Sequence, residues 1–151
     1  MANIVPDSFK TDLLGGVFDF DSGGSSFKLA LYTSLAGFST STTAYTTTNE
    51  VSSSGTNYTA GGNALTNNGV AVASNVGYVD FADLTFSSVT LTAVGALIYK
   101  DSSNEAVLVL DFGGSKLQLT EISLFSSQLQ LLLMQLLDLA TRNKIWSSEW
   151  L

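Results

Sequence analysis

The side chains able to do chemistry here are carboxylates, hydroxyls, phenols and lysines; the chain contains no Cys and no His. Without imidazole it lacks the group that titrates near neutrality and the commonest metal ligand. Zinc centres and Ser-His or Cys-His nucleophile pairs are therefore excluded. Asp19-Phe20-Asp21-Ser22-Gly23-Gly24 places carboxylates two residues apart before a glycine turn. That spacing could open a Ca²⁺ loop, but the closing Glu required about nine residues on is missing. An acidic turn before a strand is the expectation. Asp80 and Asp83 bracket Phe81, and paired carboxylates can hydrolyse glycosides at the right separation. Strand alternation instead turns Asp80 away from Phe81, towards solvent. Tyr58-Thr59-Ala60-Gly61-Gly62-Asn63 lacks the lysine of a phosphate cradle. Its adjacent glycines predict a tight turn with positive φ. Asn57-Tyr58-Thr59 fits a glycosylation sequon and is read as chance. Ser and Thr abound, yet only carboxylates and lysines are present to activate one. An enzyme is the least expected class, and no cofactor or metal is expected.

The elements that would position these residues are mostly strands. Phe27–Tyr32 alternates apolar with small or polar residues. Val70–Ala73 and Tyr78–Phe81 form a second strand region with a bend or hairpin at Asn75 and Gly77. Phe86–Tyr99 is a long β-branched and apolar stretch in which Gly95 marks a bulge. Asp101–Asn104 is a turn, and Ala106–Phe112 is the returning strand, closed by Gly113-Gly114. Ser8 is placed to cap a short helix carrying Phe9, Leu13 and Leu14. Residues 33–60 are mostly Ser and Thr, with Tyr45 and Tyr58 interspersed. They predict a long surface excursion without a packed core. Short strands separated by turns predict one all-β domain of the β-sandwich or jelly-roll kind over residues 1–116.

The net charge of -7 argues against a phosphate-backbone partner, so no nucleic acid is expected. No apolar run reaches the ~20 residues of a membrane span. The opening Met-Ala-Asn-Ile-Val-Pro-Asp lacks the pattern of a secretion signal. Charged residues make up 13% of the 151, about half the usual share. Solubility must rest on Ser, Thr, Asn and Gly, as in many secreted, adhesive and virion proteins.

Composition changes sharply after Lys116. All 13 Gly and all 5 Tyr precede that point, whereas both Trp and every Gln follow it. Residues 117–151 carry Ile122, Phe125, Leu129, Leu132, Leu133, Leu136 and Ala140 at helical spacing, predicting a Leu-rich amphipathic helix. A second origin for this tail is a one-nucleotide slip in the gene. Shifted codons permit the string TATDGDFTILFPTATASNAIIRFG, with a glycine turn, an apolar strand, a proline, a second turn and another strand. In that case the tail replaces two strands of the sheet and exposes an edge.

Asn3-Ile4-Val5, Ser8-Phe9-Lys10, Phe27–Ser34, Thr43–Val51 (TAYTTTNEV), Tyr58–Leu65 (YTAGGNAL), Tyr78–Phe81, Ala93–Tyr99 and Ala106–Phe112 together resemble a family of small tailed-phage virion proteins of the cyanophage or marine-phage type. The likeness covers nearly all of residues 1–116, and its motifs are framework motifs rather than catalytic ones. The family typically ends in a stretch like FP(T)ADASNAIIRIA. The shifted frame resembles that ending and the observed tail does not. The resemblance implies a virion structural protein: a capsid decoration or cement protein, or a tail, neck or baseplate component. The decoration role implies binding to the major capsid protein as a homo-oligomer, with a trimer as one form, and a location in the virion. Trp146 and Trp150 would then serve as a partner anchor if the tail is real. A carbohydrate-binding or adhesive module is the reading from another class. It would need exposed loop aromatics, for which Tyr45 and Tyr58 are the available residues.

Overall fold

The computed structural model describes residues 2–118 and 121–124. The fold is all-β; the described residues form α1 (Asp7–Leu14) and eight strands: β1 (Phe27–Tyr32), β2 (Asn63–Leu65), β3 (Asn67–Ala73), β4 (Val76–Phe81), β5 (Leu84–Ser87), β6 (Leu91–Lys100), β7 (Ala106–Gln118) and β8 (Glu121–Leu124). A four-stranded antiparallel sheet in the order β2-β1-β6-β7 is accompanied by two antiparallel ribbons, β3-β4 and β5-β8. The expected hairpin is present, and its bend lies at Ser74-Asn75 rather than Asn75 and Gly77. Both residues adopt positive φ, 50° and 64°, as a two-residue type I′ turn demands.

The central sheet is buried on both faces. On one face Phe27, Leu29, Leu31, Ala96 and Ile98 pack with Phe9, Phe18, Phe20, Phe81 and Phe86. Phe20 stacks on Phe27 at 4.8 Å, and Phe81 meets Phe27 edge-on at 5.6 Å. On the other face Ala30, Tyr32, Leu97, Tyr99 and Val109 pack with Leu35 and Phe38. Burial on both faces explains why β1 and β6 carry near-continuous apolar runs.

Residues 33–60 therefore depart from the expected surface excursion. Leu35, Phe38, Val51 and Tyr58 are buried, and Phe38 meets Tyr32 edge-on at 4.8 Å. Each is a lone apolar residue among Ser and Thr, so no periodic pattern announces its burial. The segment packs on both faces of the sheet, Leu35 and Phe38 on one and Val51 and Tyr58 on the other, without joining it, apart from isolated bridges such as Tyr32 to Glu50 and Ala44 to Glu105.

Three boundaries also differ. The cap of α1 is Pro6, whose φ of -59° suits a helix entrance; the Ser8 hydroxyl instead donates to the Thr42 carbonyl at 3.3 Å. Phe9 is buried, whereas Leu14 is 90% exposed. Gly113-Gly114 does not close β7. Ala93 pairs with Lys116 while Gly95 pairs with Asp111, so the glycines sit in a bulge opposite Val94 and the strand resumes. Gly95 belongs to the same irregularity, as expected. A Cβ there would meet the Leu110 carbonyl oxygen at 2.3 Å.

β7 crosses the composition seam, and β8 pairs with β5 in the register Phe86 to Ile122. The helical stripe expected from Ile122 is corrected over residues 121–124. There, pairing to the open edge of β5 satisfies the backbone as a strand. The rest of the expected helix, residues 125–151 with Trp146 and Trp150, lies outside the described residues.

Candidate functional site

Among the described residues a connected group of part-buried polar contacts centres on Glu50. Two backbone bonds set its position: Thr33 N donates to Asn49 O, and Val51 N donates to Leu31 O, each at 2.9 Å. Residues 49–51 thus run along the end of β1. The Glu50 carboxylate then accepts three hydrogen bonds: from the Tyr45 hydroxyl at 2.6 Å, the Tyr58 hydroxyl at 2.8 Å and the Gly61 amide at 2.6 Å. Charge-assisted bonds of this kind are the stronger sort.

Each donor is held in turn. Tyr45 is anchored through its amide to Asn104 O at 2.8 Å, and its ring stacks on Tyr99 at 4.6 Å. The Tyr58 hydroxyl also accepts the Leu31 amide at 3.0 Å. That amide faces away from β1's strand partner and would otherwise be orphaned. The Thr59–Gly62 turn closes through Gly62 N to Thr59 O at 2.9 Å, which presents the Gly61 amide to Glu50. Gly61 and Gly62 have φ of 85° and 78°, as the adjacent glycines predict. Gly62 is also required by space, since a Cβ would fall 1.8 Å from the Leu29 carbonyl oxygen. The Tyr99 hydroxyl donates to Gly61 O at 2.7 Å, and that of Tyr32 to Thr46 O at 2.6 Å.

Burial pushes the Tyr45 phenol far up, and its hydrogen bond to Glu50 pushes it further. Burial does the same for Tyr58, despite the opposing bond from Leu31. Tyr32 rises through burial and the nearby Glu50 charge, and Tyr99 is pushed up to about 12, chiefly by burial. All four phenols are therefore protonated donors at neutral pH. The arrangement joins the excursion, the β2 approach and the central sheet into one brace. Its carboxylate and hydroxyls bond to groups of the chain itself.

Two of the residues singled out from the sequence, Tyr45 and Tyr58, thus meet on one carboxylate. Tyr58 is not a surface loop residue, being 3% exposed; Tyr45 is half-buried against Tyr99. Sequence reasoning missed Glu50 itself. A signal was present: Glu50 is the one charged residue between Lys28 and Asp80.

The other carboxylates fall in separate places. Asp19 caps its own turn, its Oδ1 accepting Asp21 N at 3.0 Å and its carbonyl accepting Ser25 N at 2.7 Å. This is the expected acidic turn. Asp80, near the end of β4, accepts Asn68 Nδ2 at 2.9 Å, and Asp83 lies in the exposed link to β5. Asn57 donates through Nδ2 to Ser88 O at 2.9 Å. Among the described residues no group of three or more acids is placed to hold a metal ion, and no helix is long and apolar enough to cross a membrane. No family model matches the chain, and neither a curated protein nor a solved structure gives a match.

Proposed function

We propose that this protein is a virion structural component, most simply a capsid decoration or cement protein that attaches as an oligomer to the major capsid protein. The observation that carries the reading is the brace. The motifs that resemble the small phage proteins, TAYTTTNEV, YTAGGNAL and AVGALIY, supply Tyr45, Glu50, Tyr58, Gly61 and Tyr99. They act as a framework holding long hydroxyl-rich loops in a fixed shape. Rigid loops with few charges can dock on several neighbours at little cost in ordering or desolvation. Repetition around a shell then multiplies weak contacts into firm attachment.

The adhesive reading fares less well, because Tyr58 has no exposed face and Tyr45 stacks within the protein. The test is the copy number in purified particles of the source virus. A number matching the shell subunits supports decoration. A few copies per particle would move the protein to the tail, neck or baseplate, and absence from mature particles would end the virion reading.

A further inference from the structure

The β3-β4 ribbon stands apart from the rest of the fold. Val79 and Phe81 at its base are buried, but Val70–Asn75 are exposed throughout, with Val70 58% and Val72 75% exposed. No Asp, Glu, Lys or Arg occurs between Val51 and Val79. Among the described residues neither outer edge of the ribbon has a strand partner. The edges of the main sheet, by contrast, are managed. β2 is three residues long. β7 is covered where Ile4 exchanges hydrogen bonds with Val109 at 2.9 Å and where Asp111 N donates to Asn3 Oδ1 at 2.7 Å. The β3 edge carries none of the usual protection by Lys, Pro or inward charge beyond its base.

We propose that the β3 edge pairs with the β3 edge of a second copy across a two-fold axis at Ala71. The inference stands apart from the virion reading and applies equally to free protein in solution.

Three features favour a second copy as the occupant. First, the backbone phase fits. Ala73 pairs with Val76 to close the two-residue turn, Val72 with Gly77, Ala71 with Tyr78 and Val70 with Val79. The closing pair of such a turn is hydrogen-bonded and the pairs then alternate. The amides and carbonyls of Val70 and Val72 therefore point to the free edge. A two-fold at Ala71 sets Val70 opposite Val72 of the other copy, so these outward groups meet one another. Second, the side chains fit. Val70 and Val72 share a face, and the same axis brings four valines together across the seam. Third, the charge fits. Copies carrying a net -7 repel, and the outer part of the ribbon, Val70–Val79, which has no charged residue, is where they can approach with least penalty. An isolated two-stranded ribbon is marginal in water, and three or more strands are needed for independent stability. Pairing makes four. The contact is smaller than a standard interface of about 800 Å² per partner, so a reversible association in the micromolar range is expected.

The test uses the full chain. Light scattering across a dilution series reaching about 100 µM should show twice the chain mass at the top of the range. Val72→Lys should weaken the association at least tenfold while leaving the far-ultraviolet circular dichroism unchanged. A second measurement does not depend on that variant folding. Because the chain has no Cys, Ala71→Cys introduces a single thiol. At the two-fold it would form a non-hydrogen-bonded pair with Cα atoms about 4.5 Å apart, within disulfide reach. It should cross-link under mild oxidation much faster than Ser54→Cys in an exposed loop. A wild-type monomer at the highest concentration, an undiminished dimer for Val72→Lys, or equal cross-linking rates at the two cysteines would each overturn the proposal. So would a ribbon covered by residues 125–151 of its own chain, which would appear as a monomer with a slow thiol at position 71.

Discussion

The Tyr58 hydroxyl donates to Glu50 Oε1 at 2.8 Å and accepts the Leu31 amide at 3.0 Å, so one oxygen joins a carboxylate from the excursion to the backbone of the central sheet. Tyr58→Phe removes both bonds and leaves a buried amide unsatisfied. A loss of about 1–3 kcal/mol is expected, read as a lower denaturant midpoint at unchanged slope. An unshifted midpoint would show that water or a rearranged partner replaces the phenol.

Glu50→Gln keeps the shape of the acceptor but removes its charge. It should cost about 1–2 kcal/mol, since hydrogen bonds to a charged group exceed neutral ones by roughly that amount. A double-mutant cycle with Tyr45→Phe should return a coupling above about 0.5 kcal/mol, the mark of residues acting in one network. Strict additivity would separate Tyr45 from the brace.

The phenols set an alkaline limit. Tyr32, Tyr45, Tyr58 and Tyr99 are all raised above the ordinary value of 10.0. A group whose pKa is higher folded than unfolded binds its proton more tightly in the native state. Its contribution is complete below the unfolded value and is lost as pH rises through the folded one. Stability should therefore hold from neutrality to about pH 10 and fall above it. Tyrosinate absorbance should rise together with loss of near-ultraviolet dichroism. Ionisation of these phenols at constant dichroism would contradict their burial.

The two adjacent glycines separate conformation from space. Gly61→Ala meets only the Tyr99 hydroxyl, at 3.3 Å, and carries the strain of a φ of 85°, worth about 1–3 kcal/mol. Gly62→Ala drives a methyl into the Leu29 carbonyl at 1.8 Å. It should cost more than Gly61→Ala, on the order of 4 kcal/mol or more. Thermal unfolding of the two variants orders them, and equal effects would refute the close approach of the turn to β1.

The ribbon turn is open to improvement. Ser74 and Asn75 both hold positive φ, and Asn-Gly is the preferred pair for a type I′ turn. Ser74→Asn with Asn75→Gly should slow amide exchange in β3 and β4 by a few-fold and leave exchange in β6 unchanged. Faster exchange in the ribbon would show a different turn.

The parts of the fold legible in the sequence were those with a local signal. β1 showed alternation, β6 a β-branched run, and the acidic and glycine turns their own chemistry. The excursion and the brace were not legible, because their order is non-local. Leu35 and Phe38 on one face, and Val51 on the other, are isolated apolar residues whose burial depends on a sheet built from β1, β6 and β7. Tyr45, Glu50, Tyr58, Gly61 and Tyr99 meet only after the sheet forms. At Ile122 the converse holds: the helical spacing is local, and over residues 121–124 an open strand edge outweighs it.

The excursion between β1 and β2 is tethered at both flanks of one short stretch. Val51 is buried on one side, and on the other Asn57 is tied to Ser88 at 2.9 Å and Tyr58 to Glu50. Ser52–Gly55 between them are fully on the outside. This makes the stretch a natural display position. A short epitope inserted after Ser53 would be held outward by anchors it does not disturb.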